Sequence, residues 1–112
     1  MSDEEELGGD VPDGAAIFPD IPADLGINPL WLAVLHATVF LAGSDEHIVH
    51  PDAAEEAMQG LVGYLHRLEA EQLARVREDM EVLSTYARQQ KWPKGFLQAL
   101  KTFLADIGLE EA

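Results

Sequence analysis

Cysteine is absent from the 112-residue chain, which removes disulfides, thiolate zinc sites and a cysteine nucleophile together. That absence also fits a reducing, cytoplasmic setting. Serine occurs only at Ser2, Ser44 and Ser84, and none of the three stands in a Gly-x-Ser-x-Gly elbow. A glycine-rich phosphate loop is missing as well, so no catalytic set is recognisable and the chain reads as non-enzymatic. The longest apolar run, Leu30 to Ala42, is broken by His36 and Thr38. It is shorter than the roughly 20 residues a bilayer requires and reads as a core helix, with no membrane partner. The opening "MSDEEELGGD" has neither the basic nor the apolar region of a secretory signal.

Basic residues are scarce too, 7 against 21 acids, for a formal charge of −14. Residues 1–27 hold eight of those acids and no base, leaving 13 acids against 7 bases beyond them. Such a surface repels phosphate backbones, which excludes nucleic acid as a partner. It attracts cationic proteins and divalent ions.

The N-terminal text falls into two parts. Residues 1–14, acidic and with little to bury, are expected to be a disordered tail. Residues 15–27, "AAIFPDIPADLGI", carry Pro19 and Pro22 among apolar side chains. Proline disfavours a helix there and favours extended backbone. Ile17, Phe18 and Ile21 then either dock on the protein's own body or serve as a linear motif for another protein; docking from Phe18 to Ile27 is the favoured expectation, because exposed apolar clusters are a liability.

What is present from residue 28 onward is helical periodicity. Four helices are predicted, about 29–42, 51–67, 70–90 and 93–107, within a bundle spanning 28–112. The first opens with Asn28 as N-cap and Pro29 at the first helical position. It is expected to end on a left-handed Gly43 and, being apolar nearly all round, to be the most buried helix. In the second, Gly60 and Gly63 with Ala53 and Ala57 form a flank of small side chains, expected to receive the first helix at Ala33 and Ala37. The third has Leu73, Val76, Met80, Leu83 and Ala87 on one face and i,i+4 charge pairs, among them Arg75–Asp79, on the other. The acids Glu55, Glu56, Glu78, Asp79 and Glu81 accordingly read as facing mostly outward. The fourth shows Phe96, Leu97, Leu100, Phe103, Leu104 and Ile107. Short connections favour antiparallel neighbours, hence an all-α, mostly antiparallel four-helix bundle behind an acidic, proline-rich extended segment.

Two places carry candidate chemistry. The link "GSDEHIVHPDAAEE" places His47 and His50 among acids, and with Asp45 and Asp52 these could supply nitrogen and oxygen ligands to a divalent metal. The alternative is a solvated link whose acids favour the positive end of the next helix, through an Asp52–Glu55 capping box or through Pro51 at the first helical position. A buried helix ending in a small residue, an acidic turn, and a helix opening with acids resembles the junction of TerB-like tellurite-resistance domains, over about residues 33–65. That resemblance implies an all-helical fold associated with metal binding. The family's Asp-Gly-Glu turn is replaced here by "AGSDEHIVHPDAAEE", so no site residue is carried across.

The second place is "QQKWPKGF", where Trp92 lies beside Arg88, Lys91 and Lys94, with Lys101 further on. Lys91, Trp92 and Lys94 are a candidate contact for an acidic partner; otherwise the tryptophan closes the core and the lysines solvate a turn. His36 reads as a core or boundary residue, and His66 as facing the negative end of its own helix. The expected function is a non-catalytic protein-interaction or regulatory module without a cofactor, monomeric or homodimeric, whose partner is another protein. The alternatives are a divalent-metal binder at Asp45–Glu56 and an acidic inhibitor of a cationic nucleic-acid-binding protein.

Overall fold

Asn28 starts the helical part of the molecule as its sequence predicts. In the computed structural model, which describes residues 12–110, its side-chain oxygen accepts the Leu30 amide at 2.9 Å, with Pro29 following at the first helical position. From that cap runs α1, Pro29–Gly43. The others are α2, Pro51–Leu65, α3, Ala70–Gln89, and α4, Lys94–Asp106. All four fall within two residues of the predicted spans. The described residues form a small all-helical bundle without strands, in which α1 packs on α2 and α3 on α4.

Helix ends follow from local chemistry. The α3 start is tied by the Glu69 amide donating to the Gln72 side chain at 2.9 Å. Its end is a Schellman closure: the Trp92 amide reaches Ala87 O at 3.0 Å and the Lys91 amide Arg88 O at 3.1 Å. The left-handed position there is Lys91, with φ 60°, where glycine would carry no steric penalty. The same closure ends α4, with Gly108 at φ 82° and the Leu109 amide on Leu104 O at 2.8 Å.

The core joins α3 (Val76, Met80, Leu83, Ala87), α4 (Leu100, Leu104), α1 (Trp31, Leu35) and two residues outside the helices, Phe18 and Ile27. The Trp31 indole N–H points to Met80 Sδ at 3.2 Å, so the ring is buried without stranding its donor. At the far end Trp92 stacks on Phe96 with centroids 5.0 Å apart, and Phe18 meets both edge-on at 6.1 and 6.2 Å.

Several expectations require correction. The most buried helix is α3, not α1: α3 buries five residues, α1 only Trp31, Leu35 and Thr38. Uniform greasiness gives a helix no preferred face, whereas the periodic stripe of α3 aims Val76, Met80, Leu83 and Ala87 one way. Gly43 is not left-handed; it is the last residue of α1, and a Cβ on it would lie 2.9 Å from the Cβ of Ala16. Its small size serves close approach of the N-terminal strip. Gly60 and Gly63 have nothing within 4 Å of a built Cβ, so α1 does not pack there. The segment 15–27 is not wholly extended, because Ala23–Leu25 form one 3-10 turn closed by Gly26 at φ 76°. The expected tail has residues 1–11 outside the described residues, whereas residues 12–14 form a turn, with the Ala15 amide on Pro12 O at 3.2 Å.

Candidate functional site

The two histidines of the α1–α2 link are engaged with backbone. His50 is the N-cap of α2: its Nδ1 accepts the Asp52 amide at 3.1 Å, a role for which Asp52 with Glu55 had been the other sequence candidate. Accepting at Nδ1 fixes that nitrogen as the unprotonated one. His47 points the opposite way, its Nε2 donating to Asp13 O at 3.0 Å while Nδ1 lies 4.0 Å from Asp45 Oδ2. The Asp45 amide donates to Gly14 O at 2.8 Å, and Ser44 Oγ accepts the Ala16 amide at 2.8 Å. This link is therefore the seat of the strip at residues 13–16. Asp52 is exposed on the first turn of α2. Among the described residues no group of three or more His, Asp or Glu side chains is placed to hold one ion.

His66 and His36 also depart from expectation. The His66 Nε2 donates to Ile107 O at 2.8 Å, which ties the end of α2 to the end of α4 rather than to its own carbonyls. His36 is exposed.

The partner-contact candidates separate into two groups. Phe18 is 5% exposed and inside the core, and Ile21 is half-buried against it, while Ile17 is 48% exposed. The aromatic cluster with Trp92 and Phe96 thus withdraws Phe18 from any external surface. Trp92 is half-buried, and Lys91 and Lys94 are exposed. Lys94 lines a hollow of about 420 Å³ between α3 and α4 with Arg88, Lys101, Ser84, Leu97 and Gln98. An adjoining hollow of about 460 Å³ shares Arg88 and Lys101 and adds Arg77, which is paired with Glu110 at 3.2 Å. Lys91 lines neither.

Two features escaped the sequence. Asp79, read as outward, is 4% exposed. Its Oδ2 accepts the Asn28 amide at 3.1 Å and its Oδ1 accepts Arg75 Nε at 2.9 Å, while Arg75 Nη2 donates to Gly26 O at 2.7 Å. One carboxylate and one guanidinium thereby clamp the junction of strip and α1 onto α3. Hydrogen bonding to Asp79 first, and its charge second, hold the Arg75 pKa above the ordinary arginine value. A raised basic pKa contributes stability fully below the unfolded value and loses it only above the folded one. The arginine side of the clamp is therefore insensitive to pH throughout the neutral and mildly alkaline range.

The second missed feature is a groove of about 410 Å³ at the end of the molecule where α1 begins. Leu30, Trp31 and Val34 line one side, Leu65 and Leu68 another, and Gln72 and Val76 a third. Leu30 stands at its edge, 76% exposed. Its signal was present in the sequence as a helix with more apolar residues than one buried face needs. No described helix is long and apolar enough to cross a membrane. No protein-family model matches the chain, and no curated protein or solved structure is significantly similar to it. None of these comparisons supports the resemblance of residues 33–65 to a TerB-like junction.

Proposed function

We propose that the protein is a non-catalytic, acidic helical interaction module of the cytoplasm, which holds another polypeptide against the α1 face. One observation supports this reading above the others. Helix α1 has no Asp, Glu, Lys or Arg along its fifteen residues, yet Leu30 is 76% exposed beside the open groove formed with Val34, Leu65 and Leu68. An apolar side chain left in water at the edge of an apolar groove marks a contact surface, since soluble monomers minimise such patches. Outside the basic hollow between α3 and α4 the surface is mainly acidic, and of the described carboxylates only Asp79 and Glu110 are paired with arginine. That charge keeps the module apart from other acidic surfaces while the groove supplies attachment.

The test is affinity capture from a native lysate with the unchanged protein and with Leu30→Asp, whose exposed position leaves the fold intact by circular dichroism. A polypeptide retained by the first and lost by the second supports the reading. Equal retention by both overturns the surface assignment.

A further inference from the structure

Three of the chain's 7 bases, Arg88, Lys94 and Lys101, line the hollow of about 420 Å³ between α3 and α4. Helical spacing brings them there. Lys94, Gln98 and Lys101 stand at i, i+4 and i+7 on α4, and Ser84 and Arg88 at i and i+4 on α3. That lining contains no carboxylate, and none of the three cations has one within ion-pair distance among the described residues. Arg88 donates only to the neighbouring hydroxyl of Thr85, at 3.3 Å. The adjoining hollow differs, since Glu81 lines it and its Arg77 is already paired with Glu110 at 3.2 Å.

Cations held side by side repel one another until a counter-charge reaches them. The chain itself supplies one. Residues 1–11, outside the described residues, hold Asp3, Glu4, Glu5, Glu6 and Asp10 and no base. With those five of the 21 acids set aside, the body still carries 16 acids against 7 bases, so a separate acidic polypeptide approaches it against a repelling field. The N-terminal segment is already joined to the body, and a short tether confers an effective concentration of roughly millimolar order. Chain length agrees with charge. Phe18 meets the rings of Trp92 and Phe96, which stand two residues to either side of Lys94. Pro12 lies six residues before Phe18, and Glu6 to Asp3 lie six to nine residues before Pro12. Extended, that stretch covers about 20–30 Å, enough to retrace the strip to this end of α4.

We infer that the hollow between α3 and α4 is the docking site of the chain's own acidic N-terminal segment, with the carboxylates of Asp3, Glu4, Glu5 and Glu6 facing Arg88, Lys94 and Lys101. In that position the segment closes the hollow to other acidic polypeptides. The reading of the α1 face is independent of this one and stands or falls on Leu30.

The absence of cysteine allows a single nitroxide label to be placed on the full chain through Ser2→Cys. Paramagnetic broadening of the backbone amides, measured against the reduced label, then locates the segment. The expected result is a selective loss of intensity at residues 84–88 and 94–101. That loss disappears in ~1 M salt, where the Debye length falls to about 3 Å. It also disappears when Lys94→Gln and Lys101→Gln are combined, both at exposed positions, with the remaining amide spectrum unchanged. Broadening that avoids the hollow, or that persists there after either treatment, overturns the inference. Amides of the hollow that respond only to an added glutamate-rich peptide overturn it as well, and make a separate acidic polypeptide the occupant.

Discussion

The strip from Pro12 to Ile27 and helix α2 are of similar length and opposite character. The strip has one 3-10 turn and otherwise irregular backbone, yet it places Phe18 and Ile27 fully inside the core. Helix α2 is regular from Pro51 to Leu65 and buries none of its residues completely. The difference shows that regular backbone and depth of burial are separate matters. A helix satisfies its own amides and can lie on the surface with one face half-covered. A strip with few internal hydrogen bonds must find most of its partners elsewhere. This one finds them at Ser44 Oγ, Asp45, His47 and Arg75, and those anchors carry its large side chains inward.

The comparison breaks most readily at Phe18. Phe18→Ala is expected to remove about 3 kcal/mol or more of unfolding free energy, the usual loss for a buried aromatic ring. Met58→Ala on α2, half-buried, should cost about 1 kcal/mol. Urea denaturation of both variants decides; equal losses would mean that α2 is as central as the strip. Next in size is Asp79→Ala, which leaves the Asn28 amide without its acceptor and should cost about 2 kcal/mol. Amide exchange should rise at Gly26–Asn28 while α2 stays as it was.

The glycines give the sharpest contrast, because the same substitution changes sign between the two regions. Gly43→Ala pushes the strip off its seat at Ala16 and should destabilise by about 1–2 kcal/mol. Gly60→Ala in α2 meets open space and should stabilise by about 0.5–1 kcal/mol through helix propensity. Thermal unfolding reads both, and a destabilising Gly60→Ala would restore the close helix contact that its neighbours suggest. The smallest effect belongs outside both regions. Lys91→Gly relieves a left-handed lysine at the end of α3 and should stabilise by about 0.5–1 kcal/mol, a melting-temperature gain that Lys91→Ala should not reproduce.

Much of this architecture is written locally. Asn28-Pro29 and Pro51 mark helix starts because capping chemistry spans only a few residues, and the stripe of α3 is readable because its period is that of the helix. Asp79 was legible in principle. It lies three after Val76 and four before Leu83, hence on the buried face, but its i,i+4 spacing to Arg75 looks the same as that of a solvent-exposed pair. The seat of the strip was not legible, since Ala16 and Gly43 meet only through tertiary packing. Nor was the exposure of Leu30, because a helix without periodicity does not announce which side lacks a neighbour. His50 misled for another reason: one nitrogen sufficed to cap α2, where the pattern of two rings among acids suggested ligation.

The edge-on packing of Phe18 against Trp92 and Phe96 has a consequence for the order of events during synthesis. The strip is made before the four described helices, but the rings it needs, Trp92 and Phe96, follow α3. Until then Phe18 lacks the two rings it meets edge-on in the folded protein. The edge-on nest of Phe18 is therefore incomplete until Phe96 has been made, and a chain cut short of Phe96 would leave that ring without one of its two edge-on partners.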